Sequence, residues 1–265
     1  MLNHSLVREK IRLLASDHIP KNSSRYGCTI YDDKSALSNF IDPEPFEGMV
    51  IDVNDIAIFL KTARTEFAAV DRALTNQQVS VGSKVLVTPY ARRRFDGKRA
   101  DTPREEVCRD SDGTEHIRRI WLLGDVTVHL PLPKVRCTHL ARVIQYLETL
   151  PAPDGFRKVS HLLVDAGAYD FSCVDPLEDG DVMRTPPTVC FHVSNLKFDG
   201  LVKVVCEGTS DQYAVELHRE GSPIVRVADL DAPGIGTCLG ELIDDGCWLQ
   251  IRIEVLASKT KRRSH

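Results

Sequence analysis

The residues that set the fold class are 188–227, with the sequence TVCFHVSNLKFDGLVKVVCEGTSDQYAVELHREGSPIVRV. Runs of β-branched and aromatic residues alternate here with Asp199-Gly200, residues 208–211 and Glu220-Gly221, which are combinations typical of tight turns. The pattern predicts four short antiparallel strands, at residues 188–193, 201–206, 213–217 and 224–227. We therefore expect a β-meander in the C-terminal part of the chain.

Outside the meander, the spacing of apolar residues predicts helices. The longest predicted helix covers residues 55–74, where apolar residues recur at alternating intervals of four and three. Asn54 is its expected N-cap and Asn76 its expected stop. Further helices are predicted at residues 6–15, 138–150 and 239–243. We expect the long amphipathic helix to bury one face against a sheet.

The remaining strand signals complete the prediction of the fold class. Strands are predicted at residues 84–88, 117–122, 126–130, 159–164 and 249–255, and Gly124-Asp125 is expected to join 117–122 to 126–130 as a hairpin. A helical front and a strand-rich back indicate an α+β fold, with a mainly antiparallel sheet covered by two or three amphipathic helices. We expect a single domain over residues 1–257, with a sub-boundary near residue 80, and a basic flexible tail at residues 258–265.

Composition narrows the class of protein. The formal net charge of −4 argues against a protein that coats nucleic acid along its whole surface. No apolar run approaches the 18 residues of a membrane span, and the first ten residues lack the apolar core of a signal peptide. The eight cysteines form no CxxC pair and are expected to be reduced. A soluble cytoplasmic protein without membrane contact is therefore predicted.

The arginine loop, residues 90–99 (YARRRFDGKR), has the most unusual local composition. Its cations are Arg92, Arg93, Arg94, Lys98 and Arg99, and its aromatic residues are Tyr90 and Phe95. Guanidinium groups bind phosphate and aromatic rings stack on unpaired bases, so the loop predicts contact with nucleic acid or polyphosphate. Two alternatives stay open: the cations pair with Asp101, Glu105 and Glu106 just downstream, or they receive an acidic protein partner.

The acidic segment, residues 161–181, is the counterpart of the arginine loop. It holds six acidic residues and no lysine or arginine. Its candidates for metal-dependent hydrolysis of a phosphodiester are His161, Asp165 and Asp170. Their spacing matches no known set of metal ligands, so neither a metal site nor a cofactor is predicted. Asp165 is more typical of a turn cap, and the acids could instead neutralise the arginine loop.

Other catalytic signatures are absent from the sequence. It contains no P-loop, no HExxH, no GxSxG and no GxGxxG motif. Cys137 beside His139 is a minor candidate nucleophile, and His192 with His218 would share a metal site only on neighbouring strands.

The function predicted from these features is that of a non-enzymatic intracellular binding or accessory protein, which contacts nucleic acid through the arginine loop. The alternatives are a protein-interaction or adaptor protein without a nucleic-acid ligand, and a metal-dependent phosphodiester hydrolase that uses the acidic segment.

Overall fold

The computed structural model of the chain describes residues 2–21, 23, 25–33, 42–120, 126–177, 182–208 and 211–257. The predicted tail at 258–265 lies outside these residues. The contacts divide the chain into two compact units, Met1–Ala91 with Leu249–His265, and Arg92–Trp248. This division follows residue 91, whereas the sequence placed a sub-boundary near residue 80, and the single domain over 1–257 stays a prediction. The α+β class with mainly antiparallel sheets is confirmed.

The elements of the described residues follow in chain order. They are α1 (His4–His18), β1 (Gly27–Tyr31), β2 (Phe46–Val53), β3 (Ala57–Lys61), β4 (Glu66–Asp71), β5 (Lys84–Thr88), β6 (Arg104–Arg109), β7 (Glu115–Ile120), α2 (Thr138–Thr149), α3 (Val159–Asp165), β8 (Tyr169–Val174), β9 (Thr188–Ser194), β10 (Asp199–Cys206), β11 (Tyr213–Arg219), β12 (Ser222–Leu230), α4 (Ala232–Ile243) and β13 (Arg252–Ala257). None of the described helices combines the length and the hydropathy that a membrane span requires.

The first unit is built on a six-stranded sheet in the order β1-β4-β3-β2-β5-β13. Only β1 and β4 pair in parallel, and the other neighbours are antiparallel. Helix α1 packs Val7 and Ile11 with Phe59 and Phe67 in the cluster on one face. A second apolar cluster, which includes Leu60, covers the other face. Both faces of this sheet are therefore buried.

The predicted helix over residues 55–74 is wrong, because these residues form the antiparallel pair β3 and β4. Along β3, Phe59 belongs to one apolar cluster and its neighbour Ile58 belongs to the other. A strand that is buried on both faces gives a continuous apolar run, and such a run also satisfies a helical spacing. The side chain of Asn54 does accept the backbone N–H groups of Ile56 and Ala57, but it does so in a turn.

The second unit contains the predicted meander, a five-stranded antiparallel sheet in the order β12-β11-β10-β9-β8. Strands β9 to β12 contain all four predicted segments. The second unit's main apolar cluster draws residues from α2, α3 and α4 and from alternate positions of these strands, such as Phe191 and Val215. The second residue of β10 requires glycine, because a Cβ at Gly200 would lie 2.4 Å from the carbonyl oxygen of His218.

Two further predictions in this unit need correction. Residues 159–164 form helix α3 instead of a strand, since residues 159 to 163 are all buried and leave no polar phase to mark the period. The predicted hairpin of 117–122 with 126–130 is also wrong, because β7 pairs with β6 and 126–130 is not a strand. The expected turn at Gly124-Asp125 lies outside the described residues. The predicted helix at 138–150 is confirmed as α2.

Candidate functional site

The arginine loop uses most of its guanidinium groups on its own chain. Arg94 donates to the carbonyl oxygens of Ala100 and Thr102 over 3.0 and 2.8 Å. Arg99 donates to both oxygens of Asp101, at 3.0 and 2.7 Å, and these bonds hold the pKa of Asp101 below its ordinary value. The predicted pairing with Asp101 is therefore present for Arg99. These two arginines shape the loop.

Burial withdraws further residues of the arginine loop from the predicted binding surface. Arg92 is buried, with its guanidinium 5.3 Å from the ring centroid of Phe156. Tyr90 is buried, and Phe95 packs edge to face on Phe171 with ring centroids 4.9 Å apart. The exposed cations of the loop are Arg93, which donates to the carbonyl of Gly97, and Lys98, which lies 3.9 Å from Asp96.

Asp165 forms an ion pair with a buried arginine, Arg157. Arg157 is 2% exposed and lies over the ring of Trp248, 3.9 Å from its centroid. Its guanidinium donates to Asp154 at 3.0 Å, to Asp165 at 2.8 Å and to Asp244. Burial acts to lower the pKa of Arg157, but the three carboxylates outweigh burial and raise it. A group of this kind holds structure together, and the sequence did not indicate it because Asp244 is distant along the chain.

The other members of the acidic segment are separated. His161 is buried, and its Nδ1 accepts the backbone N–H of Lys158. Asp170 lies in β8 with a positive φ of 49°. Among the described residues no three His, Cys, Asp or Glu side chains are grouped to hold a metal ion, so His161, Asp165 and Asp170 do not converge. The acidic residues Glu178, Asp179 and Asp181 lie outside those residues.

The minor candidates are also placed by the fold. Cys137 is the buried N-cap residue of α2, and its backbone N–H donates to Asp175 at 2.9 Å. His192 on β9 and His218 on β11 both stand opposite Leu201 of β10. A whole strand therefore separates the two histidines, and they do not share a metal site.

Strands β6 and β7 form a two-stranded sheet of their own, which we call the ribbon (residues 104–120). On one face, Val107 and Ile117 stand directly opposite each other and are 69% and 64% exposed. The ion pairs Glu105–Arg119, at 2.9 Å, and Arg109–Glu115, at 3.3 Å, occupy the neighbouring positions of that face. The ribbon thus presents an apolar centre with a charged surround.

The charges of the ribbon nearly cancel. Its sequence holds four arginines and five acidic residues, which leaves one net negative charge. A third ion pair, Glu106–Arg118 at 3.3 Å, lies on the opposite face. Strand β6 is not predicted from the sequence because its residues, REEVCR, are mostly charged and give no apolar period.

No protein-family model matches the chain, and comparison with curated proteins and with solved structures finds no significant match.

Proposed function

We propose that this chain is a non-enzymatic accessory protein that binds a protein partner through the ribbon. The observation that carries the proposal is the opposed pair Val107 and Ile117, 69% and 64% exposed at the centre of the ribbon. Two strands alone are marginally stable in water, and surface ion pairs add little. A partner that covered this face would supply the missing packing.

Burial of the two exposed apolar side chains would supply binding energy. Full burial of a valine or an isoleucine side chain contributes roughly 1.5–3 kcal/mol. The pair Glu105–Arg119 and the pair Arg109–Glu115 lie on either side of the apolar centre, as the polar rim does in protein interfaces.

Charge favours a protein over a nucleic acid as the partner of the ribbon. Phosphate binding depends on local excess positive charge, whereas the ribbon has one net negative charge. Contact with nucleic acid through the arginine loop remains the alternative proposal, and it is supported by the exposed Arg93 and Lys98. The placement of His161, Asp165 and Asp170 gives no support to hydrolysis of a phosphodiester.

The test combines Val107→Thr with Ile117→Thr, which keeps the preference for strands but removes the apolar centre. The tagged full chain is captured from its native cells, and bound proteins are identified by mass spectrometry. We expect a partner that the parent chain retains and the double variant loses at least about tenfold, because roughly 1.4 kcal/mol of binding energy corresponds to that factor.

Ile224→Thr is the matched control, since Ile224 is a half-exposed residue of β12 outside the ribbon. This control should retain the partner, and both variants should unfold at the temperature of the parent chain. Undiminished capture by the double variant would contradict the proposal, and so would binding that nuclease treatment abolishes.

A further inference from the structure

The face of the meander opposite the helices carries a row of side chains across four strands. Lys203 of β10 stands opposite Cys190 of β9 on one side and opposite Glu216 of β11 on the other. Glu216 stands opposite Arg226 of β12. These positions alternate with those of the apolar cluster below, so the row belongs to the face that the helices leave uncovered.

Both oxygens of Glu216 already have partners. One lies 2.8 Å from Nε2 of His218, and the other accepts a hydrogen bond from Arg226. Burial acts to raise the pKa of Glu216, but His218 and the charges of Arg226 and Lys203 lower it. Arg226 also donates to Glu207. Arg226 therefore links the two glutamates in one ionic group.

Lys203 stands outside that group. Its side chain is half-buried, and among the described residues no hydrogen bond or ion pair engages its ammonium. Its other neighbour in the row is a thiol, and burial raises the pKa of Cys190, which keeps that thiol neutral. The charge of Lys203 therefore acts on Glu216 across the strands without a direct hydrogen bond, and the ammonium keeps donors that an anion can accept.

Lys203 lines a cavity of about 650 Å³ on this side of the sheet. Among the described residues, its charged lining is formed by Lys203, Glu207, Glu216 and Arg226, and its apolar lining includes Val182, Met183, Pro186 and Val205. The volume falls within the range of roughly 300–1,000 Å³ that is typical of small-molecule sites. Among the described residues, the lining thus offers an ammonium without a direct hydrogen bond beside an apolar wall.

We propose that this cavity binds a small organic monoanion, with its carboxylate or similar headgroup on Lys203 and its apolar body against Met183 and Val205. A cation is disfavoured because both glutamates are already bonded to Arg226. A polyphosphate is disfavoured because, within the described lining, the two glutamates balance the charges of Lys203 and Arg226. This proposal is independent of the ribbon.

The probe is 8-anilinonaphthalene-1-sulfonate, an apolar fluorescent monoanion, titrated into the full chain. Lys203→Met removes the charge at similar length, Lys203→Arg keeps it, and Lys134→Met changes an exposed lysine elsewhere in the second unit. Met183→Trp narrows the cavity at a side chain that is 70% exposed, so it leaves the fold intact. Each variant is first checked for an unchanged thermal unfolding temperature.

We expect saturable binding that weakens at least about tenfold in Lys203→Met, since charge-assisted hydrogen bonds have that magnitude. Met183→Trp should weaken binding about fivefold or more, because the apolar body of the probe no longer fits the narrowed cavity. Lys203→Arg and Lys134→Met should stay within about threefold of the parent. Octanoate should displace the probe far better than 1-octanol. Equal affinity in Lys203→Met and Lys134→Met, equal displacement by octanol, or no saturable binding would overturn the proposal.

Discussion

At the scale of single residues, the arginine loop shows how little a run of charge says about its targets. Arg94 satisfies two backbone carbonyls, and Arg92 lies against an aromatic ring. Every residue has a backbone carbonyl, so the sequence does not mark the two that Arg94 contacts. It does not mark the aromatic ring beside Arg92 either. Asp101 is the partner that the sequence did predict, because it lies only two residues from Arg99.

The Arg99–Asp101 pair leads to a prediction about pH. Hydrogen bonds from Arg99 hold the pKa of Asp101 below its ordinary value of 3.8, so the pair stabilises the fold above that value. This contribution is lost as the pH falls through the lowered pKa of the folded state. We therefore expect Asp101→Asn to lower the unfolding temperature at neutral pH and to have progressively less effect below about pH 3.8.

Thermal unfolding followed by circular dichroism between pH 2 and pH 7 measures this difference. Asp96→Asn is the control, because Asp96 is exposed and lies 3.9 Å from its lysine. A difference between parent and Asp101→Asn that persists unchanged at the lowest pH would count against the assignment.

At the scale of elements, Arg157 fastens two helices of the second unit. Asp165 is the last residue of α3, and Asp244 is the C-cap residue of α4. Asp154 holds the turn before α3 through hydrogen bonds from the backbone of Phe156 and Arg157. One guanidinium therefore sets the position of α3 relative to the end of α4.

Replacement of this guanidinium should be costly. Arg157→Met leaves three clustered carboxylates without a cation, and such a loss destabilises a fold by roughly 3–5 kcal/mol. Urea unfolding of the full chain should show this decrease in the free energy of unfolding. Arg136→Met, at an exposed arginine, should change the free energy of unfolding by less than about 0.5 kcal/mol. A decrease below 1 kcal/mol in Arg157→Met, roughly the value of a surface pair, would be inconsistent with a fastening role.

The elements that the sequence predicted correctly share one property, which is a single buried face. The meander strands and α2 alternate buried and open positions, so their periods are visible. Elements buried on all sides, such as β3 and α3, have no polar phase and were assigned to the wrong class. Strand β6 is mostly charged and has no apolar period, and the cavity depends on pairing between strands, which a spacing rule along the chain does not report.

At the scale of the whole molecule, the first unit is built from two separate stretches of the chain, Met1–Ala91 and Leu249–His265. Strand β13 pairs with β5, and Ile251 and Ile253 join the apolar cluster of that sheet. The backbone N–H of Ile251 also donates to the carbonyl of Leu74 at 2.7 Å. The last strand of this sheet is therefore supplied by residues that follow the entire second unit.

Truncation after Trp248 tests this dependence. Removal of β13 exposes the edge of β5 and loses the burial of two isoleucines, each worth roughly 1.5–3 kcal/mol. We expect amide hydrogen exchange, followed by mass spectrometry, to accelerate in β2, β3 and β5 while the protection of β9 to β11 is retained. Truncation after Ala257, which removes only the tail, is the control and should exchange like the parent. Equal protection of β5 in both truncated chains would argue against the role of β13.

The late return of β13 also sets an order of events on the ribosome. At roughly 5–20 residues per second, the stretch Arg92–Trp248 takes roughly 8–30 s to synthesise after β5 has emerged. During that interval β5 presents a row of unpaired backbone groups, which is a template for wrong strand pairing and a target for chaperones. The nascent chain is thus most exposed to wrong strand pairing while its second unit is being synthesised. This exposure ends only when β13 leaves the exit tunnel.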